Sequence, residues 1–323
     1  MDEFSLIQRF FSVSCDEVGH NGVNLGIGDD TAIIKAVNNG ELLFTTDTLI
    51  SGVHFLEGTD PTAIGHKSLA VNLSDIAAMG GQARWFTLAL SLPDIDADWL
   101  QSFSNGLLSL AKQFGVSLVG GDTTRGSLSI TISVIGTVPE GTAVRRSGAR
   151  PGDTLFVTGQ PGMAALGLAS IKGNIDLPDT TQTTFQEKLD YPQPRLLEAN
   201  SLRDYATSMI DISDGLAADL GHILAASECS AVIDSDSLTC WLPALPALPD
   251  SRILDAALYG GDDYELLFTV PADMSLLLEQ DWQESFSPLL RIGYIAEGAG
   301  TMIKDHSGNL MKITERGYNH FHD

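Results

Sequence analysis

The chain is 323 residues long, 43% hydrophobic and 19% charged, a balance that excludes a disordered polymer and leaves room for two packed domains or one large one. Its 18 Lys and Arg face 42 Asp and Glu, a formal charge of −24, which argues against binding nucleic acid or anionic lipid. The scattered Cys15, Cys229 and Cys240 make no zinc spacing, the start carries Asp2 and Glu3 where a basic leader would be, and no apolar run reaches about 20 residues, so a soluble chain in a reducing cytoplasm is expected.

Phe4, Ile7 and Phe11 set the stripe of a short first helix, and Thr31–Val37 and Glu41–Thr46 read as strands. Asp60-Pro61 is an N-cap followed by proline at the first helical position, and the helix runs to Met79, where Gly80-Gly81 stops it. Arg84–Leu92 is a strand. A stripe of Trp99, Phe103, Leu107, Leu110 and Phe114 marks a helix closed by Gly115, and strands follow at Val116–Val119 and Leu128–Val138. The Gly- and Arg-rich stretch Glu140–Asp153 separates an N-terminal domain, 1–140, from a C-terminal one, 141–323. Beyond it come a strand at Leu155–Thr158, a tight loop at Gly159–Gly162 and a helix start at Met163–Ser170. Residues 172–186 show no period and read as a mobile loop. Ser208–Ile212 is a strand leading into a helix through Leu224. Ser237–Asp250, with three prolines, reads as irregular, and Leu266–Val270 and Leu290–Ile295 are late strands.

The informative pattern is an Asp repeatedly set at the end of an apolar segment. It occurs at Gly28-Asp29-Asp30, Thr45-Thr46-Asp47, Gly120-Gly121-Asp122, Asp211-Ile212-Ser213-Asp214 and Gly260-Gly261-Asp262-Asp263. Any one of these could cap a turn or helix. Asp75 resists that reading. It sits near a helix C-terminus, where the macrodipole disfavours negative charge, among Leu69, Leu73, Ile76 and Ala77. Together the placements point to metal binding, and all-oxygen ligands without a Cys or His cluster favour Mg²⁺. Walker, Rossmann and protein-kinase signatures are absent. Arg145, Arg146 and Arg150 either grip phosphate or decorate a solvated linker, and His54, between Val53 and Phe55, is either a core histidine or a ligand.

The motifs GIGDDTA (26–32), TTDTLISGVHF (45–55), GHKSLAVNLSDIAAMGG (65–81), LVGGDTTRG (118–126), RRSGARPGD (145–153), IDISDGLAADL (210–220), GGDDYELLFT (260–269) and GYNHF (317–321) resemble, in order and spacing, the thiamine-monophosphate kinase family. That family belongs to a superfamily with aminoimidazole ribonucleotide synthetase and selenophosphate synthetase. The resemblance implies an α/β (α+β) fold of two synthetase-like domains, with the N-terminal sheets of two subunits closing into a barrel and a C-terminal α/β domain completing the active site. It implies ATP as co-substrate, several Mg²⁺ ions, thiamine monophosphate as acceptor, a homodimer, a cytoplasmic location, and neither nucleic acid nor membrane as partner.

Carried over position by position, the resemblance implies metal ligands at Asp30, Thr45, Thr46, Asp47, Asp75, Asp122, Asp211 and Asp214. Nucleotide contacts fall on Gly121, Asp122, Arg146 and Ser213, and thiamine phosphate contacts on His54, Asp262 and Tyr318. Asp47, Asp75, Asp122 and Arg146 carry the catalytic roles. The acceptor is an anionic phosphate oxygen, so the obstacle is repulsion between two polyanions, which paired Mg²⁺ ions relieve during in-line transfer. The competing expectations are another synthetase of the superfamily, of selenophosphate or hydrogenase-maturation type, and a non-catalytic acidic metal-binding module.

Overall fold

The computed structural model describes residues 3–11, 22–25, 33–34, 40–240 and 248–313. The chain divides into two compact units, the first of Met1–Ile76 with Gly81–Thr142, the second of Ala77–Gly80 with Ala143–Asp323. The first runs α1 (Glu3–Phe10), β1 (Val23–Leu25), β2 (Ile33–Ile34), β3 (Gly40–Ile50), α2 (Pro61–Ala78), β4 (Gln82–Leu92), α3 (Ala97–Phe114), β5 (Ser117–Arg125) and β6 (Ser129–Pro139). The second runs β7 (Thr154–Thr158), α4 (Met163–Ile171), α5 (Asp179–Asp190), α6 (Leu196–Leu202), β8 (Ser208–Asp211), α7 (Leu216–Ser227), β9 (Ser230–Asp234), α8 (Ser235–Thr239), α9 (Asp250–Tyr259), β10 (Leu266–Val270), α10 (Ser275–Asp281), β11 (Leu289–Ala296), β12 (Gly300–Lys304) and β13 (Leu310–Lys312).

In the first unit four strands lie in the order β3-β6-β4-β5. The β3–β6 ladder is antiparallel over its whole length, from Gly40 opposite Pro139 to Ile50 opposite Ser129, whereas β4 and β5 are parallel. Alternation along β3 divides its side chains. Leu49 is buried on one side, and on the other Leu42, Phe44 and Ile50 stand exposed. Asp60 opens α2 as the sequence predicts, its carboxylate accepting from the Thr62 N–H at 2.9 Å. Asp96 does the same for α3, and Gly115 closes that helix in the left-handed region. The two helices cross where both chains are glycine: a methyl group on Gly65 would run into the Phe103 carbonyl, and one on Gly106 into the Thr62 carbonyl. Leu69, Leu73, Phe86, Leu90, Phe103 and Leu107 are fully buried in this unit.

The second unit is built on a seven-stranded sheet in the order β13-β12-β9-β11-β7-β10-β8. Its core joins Leu155, Val157, Ile210, Leu267 and Ile292 from the strands to Leu216, Leu220 and Ile223 from α7. β8 and β10 are antiparallel neighbours, with Asp211 opposite Leu266. The chain leaving β8 and the chain entering β10 therefore meet at one end of the sheet.

Several expectations need correction. Asp47 and Asp122 do not end their strands: β3 continues to Ile50 and β5 to Arg125, because the flanking Thr and Gly residues keep full ladders with β6 and β4. Residues 179–186 of the expected loop belong to α5, a helix hidden by its polar face, with Phe185 and Leu189 buried four residues apart. Within 237–250, Ser237–Thr239 belong to α8 and Asp250 begins α9, while 241–247 lie outside the described residues. Of the expected strand over 31–37, only Ile33–Ile34 are described, and they are a strand.

Candidate active site

In the first unit the structure gathers Thr45, Asp47, Asn72 and Asp75. Odd-numbered residues of β3 face α2, so Thr45 and Asp47 point toward residues one turn apart on that helix. The Asp47 backbone N–H donates to the Asn72 side-chain oxygen at 3.1 Å, and the Thr45 hydroxyl donates to Asp75 Oδ2. Asn72 is itself fixed, its amide donating to the Ser68 carbonyl at 3.1 Å. Burial, then the charge of Asp75, then a hydrogen bond with it raise the Asp47 carboxyl from 3.8 to about 6. Two carboxylates and a hydroxyl held together at this cost make an oxygen donor set of the kind a hard divalent cation neutralises.

Thr46 points the other way. Its hydroxyl bonds Ser133 Oγ at 2.8 Å on the exposed side of the sheet, as Thr48 does with Thr131. Gly121 shares a row with Asp47, through Ile132 and Leu88. Asp122 is in the next row, beside Ala89, and exposed. Strands β6 and β4 intervene, so Asp122 stands about 14 Å from the Asp47 strand at ordinary strand spacing. Among the described residues no three His, Cys, Asp or Glu converge on one point. Asp47 with Asp75 is therefore one group of oxygen donors, and Asp122 stands apart from it. His54 lies just past β3, its Nδ1 accepting from the Ile50 N–H at 3.0 Å, which leaves Nε2 as the proton-bearing nitrogen.

In the second unit the loops 211–215 and 260–265 are laced together. The Asp262 N–H donates to the Ser213 carbonyl at 2.9 Å, the Tyr264 N–H to Ile212 at 2.8 Å, and the Ile212 N–H to Glu265 at 2.8 Å. Asp262 and Tyr264 both hold left-handed backbone, φ 69° and 51°, which is uncommon for residues with side chains. Asp211 is buried, and Ser213, Asp214 and Asp262 are half-buried. Structure thus brings Asp211, Ser213, Asp214 and Asp262 into one loop pair. Arg145, Arg146 and Arg150 are exposed, and the Arg146 carbonyl accepts from Ser227 Oγ at 3.3 Å. Asp30 and Tyr318 lie outside the described residues.

Four further charged groups support these loops. Asp219 accepts from the Ser213 and Asp214 N–H groups at 3.1 and 3.2 Å, and burial with the Asp214 charge lifts it to about 7. Asp263 accepts from the Gly162 N–H at 2.7 Å at the start of α4, and burial holds it well above the usual carboxylate range. Glu265 takes both arms of Arg195, from Nε at 2.6 Å and Nη2 at 2.5 Å, and a bond from the Thr158 hydroxyl at 2.7 Å. The doubled Asp and the Glu in GGDDYE were the available signal for two of these groups. Asp219 lies within the motif at 210–220, among ordinary helical residues, and Arg195 alone stands outside every motif.

Comparison with known proteins places these features. Residues 28–138 match the family model for the AIR synthase related protein N-terminal domain, and 150–303 that for its C-terminal domain. The chain is 44% identical to thiamine-monophosphate kinase of Escherichia coli (strain K12), over 99% of this chain and 98% of that protein. It superposes on the crystal structure of thiamine-monophosphate kinase from Stenotrophomonas maltophilia K279a with a TM-score of 0.85 at 42% identity, covering 96% of this chain and 98% of that one. It also matches AaThiL complexed with AMPPCP and TMP, with a TM-score of 0.74 at 30% identity over 99% and 97% of the two chains.

Proposed function

The chain belongs to the thiamine-monophosphate kinase family, and from that premise we propose that Mg²⁺-bound ATP passes its γ-phosphoryl directly to the phosphate of thiamine monophosphate, giving thiamine diphosphate and ADP. The observation that carries the metal part of this reading is the half-buried pair Asp47 and Asp75, joined by Thr45, with the Asp47 carboxyl raised by burial and by its neighbour. Mg²⁺ supplies positive charge to the phosphates when bound. Asp47 and Asp75 with Thr45 hold one ion, Asp122 marks a second point on strand β5, and Asp211 and Asp214 hold metal in the second unit. Asp30 and Thr46 complete the proposed metal ligands. The nucleotide contacts are Gly121, Asp122, Arg146 and Ser213, with Arg146 adding a guanidinium to the phosphate charge.

Thiamine phosphate is assigned to His54, Asp262 and Tyr318. No side chain is needed as a strong base, since the attacking phosphate oxygen is already an anion. The protein's task is to align two polyanions and screen them from each other.

We further propose that the chain works as a cytoplasmic homodimer, without nucleic acid or membrane as partners. No described helix is long and apolar enough to cross a membrane. Support for the dimer comes from β3, an edge strand of the four-stranded sheet on one face of which Leu42 and Phe44 are exposed side by side and Ile50 is exposed beyond Thr46 and Thr48. An apolar edge of this kind is ordinarily covered.

The reading is tested by incubating the protein with ATP and thiamine monophosphate, with Mg²⁺ or with EDTA, and separating the products by chromatography. Thiamine diphosphate formed one for one with ADP, only with Mg²⁺, supports it. Free phosphate in place of thiamine diphosphate, or turnover surviving in EDTA, overturns it.

A further inference from the structure

The strongest unassigned feature is the buried ion pair under the 260–265 loop. Arg195 and Glu265 lie 70 positions apart in the chain, and their side chains are 13% and 5% exposed. The contact is a two-pronged fork, Nε to Oε2 and Nη2 to Oε1. Glu265 also accepts from Thr158, whose oxygen in turn accepts the Leu266 N–H at 2.8 Å. On the far side Arg195 faces Glu198 at 3.8 Å, and Glu198 accepts the Ser287 N–H at 3.1 Å. Every oxygen of Glu265 is thus used, in a site where a hydrophobic pair of equal volume would serve stability as well or better. Such a network earns its place by fixing geometry.

What it fixes is the exit of a turn that holds two residues with side chains in the left-handed region, Asp262 and Tyr264. The turn is closely packed: a methyl group on Gly261 would meet the Ser213 carbonyl, and one on Gly159 the Glu265 carboxylate itself. Inside it, the Tyr264 hydroxyl donates to Asp262 Oδ1 at 3.1 Å. A shift of Glu265 would move Tyr264, and Tyr264 aims Asp262.

We propose that Arg195 and Glu265 are positioning residues that set the Asp262 carboxylate for the thiamine phosphate substrate. This rests on the assignment of Asp262 to that substrate given above. Neither residue touches a reactant; they act through the turn.

The test compares Arg195→Lys, which keeps the charge and loses the fork, with Asp262→Asn and with both together, in the full-length protein with Mg²⁺. Steady-state kinetics are read per folded molecule, after circular dichroism and thermal melting. For Arg195→Lys the expected result is a rise of roughly tenfold in KM for thiamine monophosphate, with KM for ATP unchanged. The double variant should then show no more than the effect of Asp262→Asn alone, because the fork acts through that carboxylate. Glu265→Gln, which keeps the shape and an accepting oxygen, should raise KM for thiamine monophosphate less than Glu265→Ala does.

A fall in Vmax that follows the folded fraction, with both KM values unchanged, would show the pair to be merely structural and overturn the proposal. Should Arg195→Lys not fold, the Glu265→Gln and Glu265→Ala pair decides on the same split. If Asp262→Asn leaves KM for thiamine monophosphate unchanged, the assignment of Asp262 fails, and the proposal falls with it. If that variant raises KM while the fork variants do not, the assignment stands and the positioning role alone is refuted.

Discussion

Replacing Asp47 by Asn should make the metal-free protein more stable and the enzyme inactive. In the folded chain the Asp47 carboxyl is raised from 3.8 to about 6 by burial and by Asp75. The native state therefore holds this proton more tightly than the unfolded chain. That contribution to stability is full below about pH 4 and gone above about pH 6, so metal-free stability falls as pH rises through this window. The full rise corresponds to about 3 kcal/mol, of which roughly half is lost between pH 5 and 8. Asn does not titrate and keeps a donor for Asp75.

Urea unfolding in EDTA, followed by tryptophan fluorescence, should accordingly show the wild type losing on the order of 1 kcal/mol more than Asp47→Asn between those two pH values. Millimolar Mg²⁺ should reverse the comparison, raising the wild-type midpoint and leaving the variant unmoved. If Asp47→Asn is no more stable than the wild type at pH 8 in EDTA, the two carboxylates do not oppose each other as argued. If Mg²⁺ stabilises both proteins equally, the pair is not where it binds.

Asp122→Asn should reduce kcat by roughly 10²-fold or more with little change in melting temperature, since its side chain is exposed and serves no core contact; normal turnover at limiting Mg²⁺ would remove it from the metal set. Gly261→Ala places a methyl group against the Ser213 carbonyl, so a loss of about 1–3 kcal/mol is expected in urea unfolding, together with a raised KM for thiamine monophosphate. Phe44→Glu, on an exposed position of β3, should leave monomers by light scattering after gel filtration; an unchanged mass would place the subunit contact elsewhere, or nowhere.

Much of this was legible in the sequence, for reasons that differ by residue. Asp75 declared itself because a carboxylate near a helix C-terminus, among Leu69, Leu73 and Ile76, has no cheap local explanation. The helix that carries it was legible at both ends, through Asp60-Pro61 and Gly80-Gly81. Asp47 and Asp122 were read as metal ligands from their place at strand ends, while their strands were drawn too short. Asp and Gly score poorly as strand residues, yet the ladders of β3 with β6 and of β5 with β4 hold them extended regardless. Helix α5 was missed because only Phe185 and Leu189 face inward, too few to show a period among Thr, Gln and Lys. The Arg195–Glu265 fork could not be read at all, because nothing local to either residue announces a partner 70 positions away.

The paired glycines where α2 crosses α3 have a consequence for how this enzyme can vary. With Gly65 against the Phe103 carbonyl and Gly106 against the Thr62 carbonyl, each helix is keyed to the other, and neither can slide without a clash. Asp75 rides on α2, ten residues beyond Gly65. The spacing between Asp75 and Thr45 is therefore a tolerance set at a crossing that no reactant reaches. A lineage that changes either glycine must re-register a whole helix before its carboxylate pair again fits an ion of fixed radius.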